Sequence, residues 1–305
     1  MVARREMLIG MGGVAMSLAS LPLWARSPQR GDGRAAALGA EIARIERGIG
    51  GRLGISLHDT HDGFRFAHRG GERFAMCSTF KFLVAAAILL RVDEARERLD
   101  RRISIRASDL LDHAPVTEQH VGPQGMTVGE LCAAAVCQSD NPAANLLIAA
   151  LGGLGPFNRF LAVLGDRTTR LDRLEPALNE SRPGDPRDTT TPDAMRADLE
   201  RLLVARLLSA KSRTILTGWL IANTTGDARL RAGLPRDWRV GDKTGTGNHG
   251  SNNDIAILWP PARRPILVTS YLTETRAGNA AANAAHAAVA RAIVAALQGQ
   301  SISSS

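Results

Sequence analysis

Residues 78–90 read Ser78-Thr79-Phe80-Lys81-Phe82-Leu83-Val84-Ala85-Ala86-Ala87-Ile88-Leu89-Leu90. Past the two hydroxyl residues every side chain but one is apolar, which predicts a helix buried on most sides. A lysine inside such a helix is expensive unless it is paired or functional. Spacing of i, i+3 places Ser78 and Lys81 on one face, within reach of each other. Ser78 falls at the helix N-terminus, where free backbone N–H groups and the helix dipole favour a developing oxyanion. A serine there can also act simply as an N-cap. Composition weighs on the side of chemistry. Of 38 basic residues, only Lys81, Lys211 and Lys243 are lysines. Arginine holds its proton at any working pH, whereas a buried lysine can lose one and act as a base. The segment points to a serine nucleophile activated by a neighbouring amine.

Two further motifs follow. Ser139-Asp140-Asn141 comes after a predicted helix over 127–137, and Pro142 suits position N1 of the next helix with Asn141 as its cap. Lys243-Thr244-Gly245-Thr246-Gly247 offers a strand-end lysine and hydroxyls as a carboxylate anchor. Its glycines let a substrate lie close to backbone. Singly, these read equally well as a cap and a glycine turn. Together and in this order, S-x-x-K, S-D-N and K-T-G resemble the signature set of class A serine β-lactamases and penicillin-binding proteins. Glu175-Pro176-Ala177-Leu178-Asn179 is similar to the E-x-x-L-N motif of the class A enzymes, and Arg187-Asp188-Thr189-Thr190-Thr191-Pro192 matches its context. D,D-peptidases and non-hydrolytic β-lactam sensor domains are the alternative readings. They share three motifs but lack this glutamate.

The resemblance runs from about Gly51 to the C-terminal helix. It implies that Ser78 attacks the β-lactam carbonyl, with backbone N–H groups of Ser78 and Thr246 as the oxyanion hole. Either Lys81 or Glu175 takes the serine proton. It further implies that Ser139 relays a proton to the ring nitrogen and that Asn141 orients Lys81 and the substrate amide. Glu175 and Asn179 would hold the hydrolytic water. Lys243, Thr244, Gly245 and Thr246, with Arg229 behind them, would bind the substrate carboxylate. His113 takes the gatekeeper position, usually aromatic. Arg173 and Asp188 would close an Ω-loop, with Glu175–Pro176 a cis peptide. No metal or organic cofactor is implied. Implied partners are β-lactam substrates and mechanism-based inhibitors, acting on a monomer. Carbapenem-hydrolysing relatives often bridge the positions of Cys77 and Gly247, and another subgroup those of Ala85 and Cys132. This chain can form neither bridge, so Cys77, Cys132 and Cys137 are expected as free thiols, and a dedicated carbapenemase is disfavoured.

Working outward, residues 52–58 and 64–68 read as strands joined by the turn Asp62-Gly63. Two more strands are predicted at 253–259 and 265–272, and an alanine-rich helix at 277–297. Residues 31–39 read as a linker. Strands at both ends around a helix-rich middle imply an α+β fold. By resemblance it has a five-stranded antiparallel sheet flanked by helices and an inserted all-helical domain, with the active site at their interface. The expected division is 1–25 signal peptide, 26–68 plus 215–300 sheet domain, 69–214 helical domain, and 301–305 disordered tail. Arg4-Arg5 before a moderately apolar stretch favours twin-arginine export to the periplasm, with no membrane insertion after processing. The run His58-Asp59-Thr60-His61-Asp62 reads as a solvated turn rather than a metal site. With 305 residues, 44% hydrophobic, the chain can build a sizeable core. Its net charge of +8 comes with only 4% aromatic residues and no basic-aromatic motif, which argues against nucleic-acid binding.

Overall fold

The computed structural model describes residues 30–299, so the expected signal peptide and tail lie outside the described residues. Helix α1 (Arg30–Ile49) leads into the hairpin β1 (Arg52–Asp59) and β2 (Arg65–His68). Then come β3 (Phe74–Ala75), a 3₁₀ turn Cys77–Thr79, α2 (Phe80–Asp93), β4 (Arg102–Ile105) and β5 (Gly122–Thr127). Helices α3 (Val128–Cys137), α4 (Asn141–Ala150) and α5 (Leu154–Val163) follow, then β6 (Thr189–Thr190), α6 (Pro192–Leu199) and α7 (Ala210–Ile221). The chain closes with β7 (Arg239–Thr246), β8 (Asn252–Trp259), β9 (Ile266–Thr273) and α8 (Asn279–Gln298). Strand order is β2-β1-β9-β8-β7, antiparallel throughout.

Strand alternation builds two cores on the two faces of this sheet. Leu53, Ile55, Leu57, Val268 and Leu258 meet Leu38 and Ile42 of α1 and Val289 and Ile293 of α8. Ile255, Ile257, Leu267 and Tyr271 point the other way, into a core centred on α2. Every residue of α2 from Phe80 to Leu89 is buried, as the apolar run predicts. Each fully buried Leu, Val or Phe there contributes about 1.5–3 kcal/mol.

Four expectations are corrected. Residues 31–39 are helical, because Leu38 docks on the sheet and four helix-forming residues, 34–37, precede it. The inserted segment is not all helical: β4 pairs with β5, and β3 with β6. In the first ribbon only glycine fits at 125, where a Cβ would lie 1.8 Å from the Ile103 carbonyl oxygen. Asp140, not Asn141, caps α4, its carboxylate accepting from Ala143 N at 2.9 Å. Finally, His58 and Asp59 are buried rather than solvated. Asp59 accepts from Arg263 at 2.5 Å, and His58 lies 3.2 Å from Glu200. Among the described residues no cluster of three or more potential ligands could hold a metal.

Two buried carboxyls, Asp166 and Asp198, neighbour each other between the loop after α5 and helix α6. Neither Oδ2 finds a donor among the described residues, and two buried carboxyls side by side favour holding one proton between them. Asp166 accepts backbone N–H groups of Thr168 and Thr169 at 2.7 and 3.0 Å and keeps the charge. Burial, then the Asp166 charge, pushes Asp198 up to about 9, against the nearby Arg201. Folded Asp198 thus keeps a proton that the unfolded chain releases above its ordinary value of 3.8. This stabilising contribution is complete below that value and is lost as pH rises toward 9. Asp198→Asn, which copies the protonated acid, should match wild type near pH 4 and become the more stable of the two by pH 8.5. The gap should widen by up to about 1.4 kcal/mol per pH unit. Denaturant melts at several pH values check this, and parallel curves would refute the shared proton.

Candidate active site

Lys81 organises the site. Its ammonium is completely buried and bonds to partners from two segments, the Ser139–Asn141 turn and the loop carrying Glu175. It donates to the Ser139 carbonyl at 2.7 Å and to Asn141 Oδ1 at 2.6 Å, and it lies 3.0 Å from Glu175 Oε1. Burial lowers its pKa, while the Glu175 carboxylate opposes that shift. Ser78 Oγ donates to the same Glu175 Oε1 at 3.3 Å, and no Lys81 hydrogen bond reaches it. The i, i+3 spacing therefore brings serine and lysine to one carboxylate rather than to each other.

Each partner is held by its own element. Asn145, one turn after Asn141 on α4, clamps Glu175 through both backbone groups, at 2.9 and 3.0 Å. Asn179 Nδ2 donates to Glu175 Oε2 at 2.5 Å. Arg173 pairs with Asp188 at 2.6 Å, while Asp188 accepts the backbone N–H groups of Asp172 and Arg173, so the loop carrying Glu175 is closed at its base. The Glu175–Pro176 peptide is cis. Asp140 accepts from Val116 N, Thr117 N and Thr117 Oγ1, tying the His113 loop to α4. Cys77, His113 and Ser139 all have left-handed backbone, with φ of 45°, 64° and 59°. Such conformations in non-glycine residues persist only where surrounding structure imposes them, and they cluster at functional sites.

The opposite wall is β7. Lys243 Nζ donates to Ser139 Oγ at 3.0 Å, so one serine joins both lysines. Burial lowers the pKa of Lys243 strongly, and the charge of Lys81 adds to this. Gly245 lets β7 abut the 3₁₀ turn, since a Cβ there would stand 2.7 Å from the Met76 carbonyl oxygen. Buried Arg229 donates to the Gly245 carbonyl at 2.9 Å and to Thr246 Oγ1 at 2.6 Å. Exposed His113 stands at the mouth, its Nε2 3.0 Å from the Gln138 carbonyl oxygen. Ser78, His113, Ser139, Asn141, Asn179, Arg229, Thr244, Gly245 and Thr246 line one cleft of about 290 Å³. Lys81, Glu175 and Lys243 lie buried behind these residues and bond to Ser139, Ser78 and Asn179. Asn145, Thr225 and Asp242 stand outside the motifs. Only Asn145 carried a local signal, its i, i+4 relation to Asn141. Arg229, Thr244 and Thr246, with Lys243 behind them, give this wall a set of donors that suits an anionic substrate.

A serine at a helix N-terminus, a carboxylate within reach of it and two buried lysines define a serine acyl-transfer enzyme. The family model of the β-lactamase enzyme family matches residues 37–297. β-Lactamase L2 of Stenotrophomonas maltophilia is 48% identical over 278 residues, covering 89% of this chain and 91% of that protein. CTX-M-8 of Citrobacter amalonaticus is 44% identical over 271 residues, covering 89% and 90%. Among solved structures, an ancestral (GNCA) class A β-lactamase superposes with TM-score 0.84 at 60% identity, covering 85% of this chain and 99% of that one. A β-lactamase from Xanthomonas campestris does so with TM-score 0.83 at 54% identity, covering 85% and 97%. The chain belongs to the β-lactamase enzyme family, as a class A serine enzyme that hydrolyses the β-lactam ring and so confers resistance.

The three cysteines are free thiols. Cys77 is fully buried, and burial pushes its thiol up to about 12, which leaves it inert. A Cβ on Gly247 would lie 2.6 Å from its Sγ, so the space beside it admits only glycine. Thiol titration of denatured, unreduced enzyme should count three, and reductant should leave the melting temperature unchanged. A count of one would mean a disulfide and a different packing around the nucleophile.

Proposed function

We propose that Glu175 is the base in both half-reactions. The observation that carries this is the shared carboxylate oxygen: Ser78 donates to Glu175 Oε1, while Lys81 bonds to Ser139, Asn141 and Glu175 and not to Ser78. In acylation Ser78 Oγ attacks the β-lactam carbonyl carbon and its proton passes to Glu175. Backbone N–H groups of Ser78 and Thr246 receive the oxyanion. The C–N bond breaks, and the ring nitrogen takes its proton from Ser139 Oγ. Ser139 can give it because Lys243 and Lys81 both donate to its oxygen and can restore the proton. The proton on Glu175 then crosses the 3.0 Å contact to Lys81, which restores both charges; in deacylation Glu175 removes a proton from the water attacking the ester and passes it to Ser78 Oγ as that oxygen leaves. Asn179 Oδ1, a buried acceptor with no donor among the described residues, supports a water-binding role beside Glu175.

Thr244, Thr246 and Arg229 anchor the substrate carboxylate, with Lys243 behind. Asn141 orients Lys81 and the substrate amide, and His113 borders the entrance. Export to the periplasm by the twin-arginine route, the two-domain division given above, a monomeric state and sensitivity to mechanism-based inhibitors complete this reading. The contact of Glu175 with Ser78 favours hydrolysis over a D,D-peptidase that stays acylated.

Glu175→Gln tests the assignment. Removing the carboxylate removes the charge that holds the Lys81 proton, so the amine can take over acylation. No base then remains for the water. Turnover of a penicillin should fall by about 10²–10⁴-fold. Mass spectrometry should find Ser78 carrying the opened drug. Wild-type turnover without an adduct would overturn the role.

A further inference from the structure

A hydrogen-bonded relay runs behind the carboxylate anchor. Asp242 is fully buried and is fixed by Arg231 at 2.5 Å. Asn223 Nδ2 donates to Asp242 Oδ2 at 2.7 Å, which fixes the amide orientation and leaves Asn223 Oδ1 facing Thr225. That oxygen accepts both the Thr225 N–H at 3.1 Å and the Thr225 hydroxyl at 2.8 Å. The Thr225 Oγ1 lies 2.5 Å from Thr244 Oγ1, and both threonines line the cleft. Gly226 lets this loop reach Asp242, because a Cβ there would fall 1.8 Å from its carboxylate.

Proton counting gives the relay a direction. Asn223 Oδ1 can only accept, so in the empty cleft Thr225 gives it the single hydroxyl proton, and Thr244 donates to Thr225. A carboxylate also can only accept. When it binds, the Thr244 proton must turn to it, and the Thr225 proton turns to the Thr244 oxygen. Asn223 Oδ1 keeps the Thr225 N–H throughout, so no buried acceptor is left bare. Two hydroxyl bonds exist before and after, but one of them is now charge-assisted and stronger.

We propose that Thr225 is a positioning residue that sets the Thr244 hydroxyl for anionic substrates through this Asp242–Asn223–Thr225–Thr244 relay. The proposal rests on the carboxylate-anchor reading of Thr244. Thr225→Val keeps the side-chain volume and removes the hydroxyl. KM for a penicillin should rise about five- to tenfold, the worth of one good hydrogen bond, with kcat within about twofold. Thr225→Ser should restore KM, which no purely space-filling role predicts. In a Thr244→Val background, Thr225→Val should add almost nothing. If Thr244→Val raises KM while Thr225→Val does not, or if the two effects add, the relay is wrong and the anchor survives. If Thr244→Val leaves KM unchanged, the anchor fails and the relay falls with it.

Discussion

A positive charge inside an apolar helix sets the terms for the rest of this molecule. Moving an ammonium out of water costs several kcal/mol even after relaxation. Lys81 meets that cost with a backbone carbonyl and an amide oxygen from the Ser139–Asn141 turn and a carboxylate from the Glu175 loop. Those two segments must therefore converge on α2. Ser139 reaches it from the turn after α3, Asn141 from the first turn of α4, and Glu175 from the loop clamped by Arg173 and Asp188. Losing one partner of such a pair leaves a bare buried charge, at a cost of about 3–5 kcal/mol. The site is thus part of the core, and the arrangement that activates Ser78 also fixes how the helical layer sits on the sheet.

What could be read in advance followed from periodicity and motif spacing. Alternation in β8 and β9 feeds both cores, while Leu53, Ile55 and Leu57 of β1 all serve one of them. The α2 run could only be a buried helix. The ribbons β3–β6 and β4–β5 were not legible, since short strands of two to six residues, one of them glycine-rich, owe their pairing to tertiary contacts rather than to their own pattern. The cap of α4 shows the same limit at one residue. Asp140 and Asn141 are equally good caps by propensity. The choice falls to Asp140 because Lys81, sixty positions away, claims the Asn141 side chain.

The catalytic residues were legible for a chemical reason: a nucleophile, its base and an anion anchor need particular groups at short local spacing. Their supports have no such signature. Asp242, Asn223 and Thr225 are ordinary polar residues until the loop after α7 folds against β7. His58 and Asp59 failed as a solvated turn for the complementary reason. Their partners Glu200, Arg263 and Arg34 come from distant parts of the chain, and no local pattern announces them.

The places where local rules break are also informative. Cys77, His113 and Ser139 sit in a backbone region that costs side-chain-bearing residues of order 1–3 kcal/mol each. None of them needs that geometry for its own packing. Cys77 turns the chain so that Ser78 enters the 3₁₀ turn facing Glu175. Ser139 turns it so that a single residue offers its carbonyl to Lys81 and its hydroxyl to Lys243. The two strained residues thus flank the bond-making and bond-breaking ends of one reaction. Their strain is offset by the two cores on either side of the sheet, which is where a sequence that folds consistently elsewhere can absorb a functional exception.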